Sequence, residues 1–141
     1  MRDANLTLAV AQSITTTAIS EHVITGKAAQ YIANGKPLYL VVRVTTGFTT
    51  GSDTLTITAE MDSAVGLDAT PTVLATSPAI PTSSLTTAGK DIILALSPGY
   101  QVATDVYIGC RFTCSTTLAT GVVDAWITPD LETAYPLPLN P

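Results

Sequence analysis

The sequence predicts an all-β domain, a jelly roll or β-sandwich with extended N- and C-terminal arms. Three observations point there. Apolar side chains alternate with a period of two in one segment after another, the mark of strands with one buried face. Turn-forming residues separate those segments at short intervals. No segment carries a sustained three-to-four-residue apolar spacing, so no amphipathic helix competes. With 141 residues the chain is one domain, large enough to bury a real core. The boundaries read as an N-terminal arm over 1–9, a sandwich over 10–128 and a proline-rich C-terminal arm over 129–141.

The stretch from Pro37 to Met61 organises the rest. Leu38, Leu40, Val42 and Val44 fall on one face, with Tyr39, Val41 and Arg43 on the other. After Thr45–Asp53 the alternation resumes, with Leu55, Ile57, Ala59 and Met61 opposed to Thr56, Thr58 and Glu60. Two alternating runs joined by a glycine-containing loop predict a β-hairpin with one buried and one wetter face. A second sheet must cover the buried face.

Elsewhere, Val10–Ala18 reads as a strand with Val10, Gln12 and Ile14 on one face, followed by a short one at His22–Thr25. Lys27–Asn34 suits a single helical turn, ended by Asn34-Gly35 and Pro37. Further strands are expected at Thr72–Thr76, Lys90–Leu96, Val106–Ser115 and Val122–Thr128, between prolines that cannot donate to a ladder. The closing Pro-Leu-Pro-Leu run favours extended polyproline II. Tyr135, Pro136, Leu137, Pro138 and Leu139 are suited to a groove on a neighbouring subunit; the alternative is a tail folded back on its own domain.

Composition excludes several functions. Only 12% of residues are charged, so threonine and serine supply much of the polar surface, and such a surface tends to associate. A monomer solubilised by hydroxyls is the plainer alternative. The net charge is −5 and the six lysines and arginines are scattered, which leaves no basic stripe for nucleic acid or for an anionic membrane. No apolar run is long enough to span a bilayer, and no secretory signal opens the chain. Asn5-Leu6-Thr7 fits the glycosylation pattern but without a secretory route reads as coincidence. Cys110 and Cys114 share a face of one strand, with Cα atoms roughly 13 Å apart. A disulfide tolerates no more than about 7 Å, so free buried thiols are expected, as in a reducing cytoplasm.

Catalytic chemistry finds few candidates. His22 is the single histidine, and no Cys-x-x-Cys, Gly-x-Gly-x-x-Gly or Walker-type loop occurs. The carboxylates are dispersed over loops and outer faces. No catalytic residue, cofactor or metal is therefore assigned, and the chain is not expected to be an enzyme. Trp126 and Tyr107 beside Asp124 would suit a sugar-stacking platform, which makes a carbohydrate-binding module the second reading; packing at an interface or beneath a loop is the ordinary role for such aromatics.

One family resemblance runs through these residues. The opening Met1–Ser20, with His22-Val23-Ile24 after it, resembles the start of the Bbp16-type capsid cement proteins of tailed phages. Gly35-Lys36-Pro37 with Leu38–Val44, then Phe48-Thr49 and Thr54–Ile57, carry the most specific likeness. Thr76-Ser77, Ala79-Ile80-Pro81, Tyr107–Thr113 and Gly121–Asp124 extend it. Val10 stands where relatives carry an aspartate, and the tail from Pro129 runs past their usual end. The resemblance implies a jelly roll made in the bacterial cytoplasm and bound outside an icosahedral head. There it would bridge HK97-fold major capsid subunits as a dimer or trimer, touching neither nucleic acid nor membrane. On that reading Leu6, Leu8, Phe48 and the residues Tyr135–Leu139 are the expected subunit or capsid contacts.

Overall fold

In a computed structural model the residues described are 6–25, 37–49, 51–96 and 107–129. They form ten strands: β1 Thr7–Ser13, β2 Ala18–Ile19, β3 Ile24–Thr25, β4 Tyr39–Thr46, β5 Thr54–Asp62, β6 Thr72–Thr76, β7 Ile80–Pro81, β8 Asp91–Ala95, β9 Tyr107–Cys114 and β10 Val122–Thr128. A 3-10 turn at Thr82–Ser84 lies between β7 and β8. The helical turn expected over Lys27–Asn34 and the tail beyond Pro129 lie outside the described residues.

Two antiparallel sheets result. One runs β1-β10-β4-β8; the other runs β2-β9-β5-β6, with β3 added beside β9 and β7 beside β5. Among the eight strands of the two main orders, the first pairs with the last, the second with the seventh, the third with the sixth and the fourth with the fifth. The chain is one long antiparallel ribbon rolled up on itself, the winding of a jelly roll.

The expected hairpin is not formed. Strand β4 sits in one sheet between β10 and β8, whereas β5 sits in the other between β9 and β6. Alternation dictates which face of a strand is buried but not which strand lies beside it. Here the apolar faces of β4 and β5 look at each other across the core instead of lying side by side. The connecting loop is fastened to residues 82–89: Phe48 N–H donates to Leu85 O at 2.8 Å, Thr82 N–H to Asp53 O at 2.9 Å, and Gly89 N–H to Val44 O at 2.7 Å. Gly47 passes so close that a Cβ there would lie 1.9 Å from the Thr86 carbonyl oxygen.

The core contains the faces the alternation assigned. Leu38, Leu40, Val42 and Val44 meet Leu55, Ile57 and Ala59, with Ile108, Cys110 and Phe112 from β9 and Val123, Ala125 and Ile127 from β10. Truncating a buried side chain of the size of Phe112 costs about 3–5 kcal/mol. β1 departs from its predicted pattern. Ala11 has φ +50°, and the β1–β10 register shifts between Ala9 and Gln12. That bulge turns Val10 out to 56% exposure while Leu8, Ala9, Gln12 and Ile14 face inward. Asp124 on β10 holds the bulge by accepting from Ala11 N–H at 2.7 Å.

Candidate functional site

Three polar constellations stand on this frame. The first lies on the outer face of the β5–β9 pair, which the alternation left wet. Glu60 and Arg111 are diagonal neighbours, since Glu60 opposes Gly109 and Thr58 opposes Arg111. Arg111 Nε donates to Glu60 Oε1 at 3.0 Å, and its Nη2 to Leu67 O at 2.7 Å. The Glu60 side chain is only 7% exposed. The loop after β5 folds back over the pair and places Leu67, itself at φ +53° and fully buried, against Gly109. Asp62 anchors that loop by accepting from Ser63 N–H at 2.7 Å and Ala69 N–H at 2.9 Å. Burial opposes its ionisation, but the N–H groups of Ala69, Thr70 and Ser63 outweigh this and hold its carboxyl below the ordinary value.

The second lies on the outer face of β4, β8 and β10. Arg43 and Asp91 form a two-pronged pair, Nε to Oδ1 at 2.7 Å and Nη2 to Oδ2 at 2.8 Å. The Arg43 guanidinium also lies 5.4 Å from the centre of the Trp126 ring. Val41 and Trp126 are both buried there, with Ile93 packed against them. This face too is drier than the alternation implied.

The third is a cleft of about 250 Å³ at one end of the sandwich, lined by Phe48, Thr49, Asp53, Thr82 and the turn Thr117–Thr120. Thr49 and Thr120 share a hydroxyl hydrogen bond of 3.1 Å, and Thr116 Oγ1 donates to Asp53 Oδ1 at 2.7 Å.

The predicted contact residues fall out differently. Leu6 and Leu8 are core side chains at 1% and 0% exposure, and residues 7–9 belong to β1, so the sandwich starts ahead of the boundary expected at residue 10. Phe48 is 3% exposed and packed under Gly121, where a Cβ would come within 2.2 Å of its ring. All three side chains are buried within the chain's own core. Tyr135, Pro136, Leu137, Pro138 and Leu139 lie outside the described residues. The sugar platform does not assemble, because Tyr107 is on β9 and Trp126 and Asp124 are on β10, in different sheets. Trp126 is moreover buried and Asp124 is committed to Ala11.

Cys110 and Cys114 are both free, Cys110 buried and Cys114 partly so. Burial pushes the Cys110 thiol up to about 12, helped by the nearby Glu60 charge and opposed by a hydrogen bond from Ser20. Burial raises Cys114 as well. Such thiols make poor nucleophiles at neutral pH. Among the described residues no cluster of three or more His, Cys, Asp or Glu side chains could hold a metal, and no helix is long and apolar enough to cross a membrane.

Sequence reasoning missed Arg111, Glu60, Asp62 and the Asp53–Thr82 cleft. Opposite charges at the middle of two strands were the available signal for the first pair, but only the register places them diagonally. Nothing in the sequence marks Thr82 among its many fellow threonines.

Among the curated proteins none matches the chain. The Bbp16 family model matches residues 8–127, from the second residue of β1 to the penultimate residue of β10. The match thus takes in both sheets and every strand that closes the core, and the chain belongs to the Bbp16 family.

Proposed function

We propose that this protein is a capsid cement protein. It binds the outer surface of an icosahedral tailed-phage head as a homo-oligomer and ties HK97-fold major capsid subunits together against the pressure of packaged DNA. Membership of the Bbp16 family across residues 8–127 is the observation that carries this reading. The polar groups described above agree with it. Arg111, Glu60, Asp62, Arg43 and Asp91 all hold strands and loops in place. A rigid, charge-poor, hydroxyl-rich exterior loses little to desolvation when it is covered.

A protein that binds only the assembled shell stabilises it by mass action. Many copies on symmetric positions make modest single contacts strong in aggregate. The reading is tested by adding the purified chain to heads that lack it. Saturable co-sedimentation and a rise of several degrees in the temperature of head disruption are expected. A chain that stays in the supernatant and leaves disruption unchanged would sink the proposal. Deleting Pro129–Pro141 should reduce the added heat resistance while the domain's own unfolding midpoint stays put, if the tail straps a neighbour.

A further inference from the structure

The end cleft holds two oxygens that no described residue engages. Thr82 Oγ1 belongs to a residue only 1% exposed and has no hydrogen-bond partner among the described residues. Asp53 Oδ1 is engaged by Thr116, but Oδ2 accepts no hydrogen bond and faces no cation among the described residues. Both oxygens lie beside Gly51. A Cβ placed on Gly51 would stand 3.4 Å from Asp53 Oδ2 and 3.9 Å from Thr82 Oγ1. A buried polar atom left without a partner is costly, and its persistence beside an open, negatively charged cleft calls for a donor from outside.

The chemistry narrows that donor. A saccharide would want an exposed aromatic face, and the one ring in the cleft, Phe48, is buried beneath Gly121. Calcium takes six to eight oxygens, several of them usually charged, and here a single carboxylate is present. A full negative charge flanked by hydroxyl acceptors, in a chain of net charge −5, is matched by a planar cation with several N–H donors. We propose that this cleft receives an arginine side chain of a partner protein, its guanidinium seated on Asp53 Oδ2 with Thr82 Oγ1 accepting a second N–H. That the arginine arrives on a protein rests on the docking role proposed above; the site's own chemistry does not.

The test is a titration of the full chain with N-acetyl-arginine amide at low ionic strength, followed by amide chemical shifts. N-acetyl-lysine amide, glucose and calcium chloride serve as parallel arms. Saturable shifts at Gly51, Asp53, Thr82 and Thr117–Thr120 are expected with the arginine probe. They should weaken about tenfold in Asp53→Asn and by a smaller factor in Thr82→Val. The unperturbed remainder of each spectrum reports that the variant is folded. No saturable response, a response that survives Asp53→Asn, or a larger response to glucose or calcium overturns the assignment. If the probe fails on a chain that still docks on heads, the cleft is wrong and the docking role stands. If the probe binds but the chain ignores heads, the cleft's chemistry holds and its partner protein must be sought elsewhere.

Discussion

Gly121 shows how little room single positions leave. Its φ of +147° lies where side chains are rarely tolerated, and Phe48 occupies the space a Cβ would need. Gly121→Ala is expected to destabilise the domain by about 2–3 kcal/mol, read as a lower denaturant midpoint at unchanged slope. Phe48→Ser should act in the same way, by opening the core, and not by removing a surface contact. Arg111 makes a different kind of demand. Arg111→Met leaves the Glu60 side chain almost wholly covered and stripped of its ion-pair partner, a loss of about 3 kcal/mol because part of the arginine is solvated. Adding Glu60→Gln to it should recover part of that loss, and a double-mutant cycle on denaturant midpoints measures the share. At the thiols, a disulfide-exchange reagent should modify Cys114 slowly and Cys110 only on unfolding, because burial raises both and seals the second.

At the scale of elements, the loop from Asp62 to Thr70 behaves as a clasp with a titratable catch. Because the Asp62 carboxyl is lowered on folding from an ordinary 3.8, its contribution is present above that value and is lost as pH falls through the depressed one. Asp62→Asn should therefore remove part of the acid-side decline in stability, which urea midpoints measured across falling pH would reveal. A decline identical to the parent's would refute the clasp. The strands themselves were legible because alternation is written directly into Leu38–Val44, Leu55–Met61, Val106–Ser115 and Val122–Thr128. Their partners were not. A period of two is equally satisfied by β4 lying beside β5 or facing it across the core, and the stitching of loop 47–53 to residues 82–89 decides between them. β1 breaks the alternation at Val10, since its bulge is set by Asp124, far away along the chain. The candidate site was less legible still: Phe48 and the leucines looked like contacts by their apolarity alone, and burial is a property of the whole fold.

For the whole molecule, the rolled winding brings the first strand against the last, with Thr7 opposite Trp126 and Ser13 opposite Val122. Among the described strands β1 borders one, β10, and β10 is also what separates β1 from β4. A ribosome making this protein thus delivers β1 long before β10, the strand it pairs with. Until residues 122–128 emerge, one sheet lacks its second member and the aliphatic lining of the other has no lid. Nascent chains arrested before Val122 should stay protease-sensitive, and those carrying enough added sequence after Thr128 to bring β10 out of the exit tunnel should turn resistant, so closure of the sandwich waits for β10.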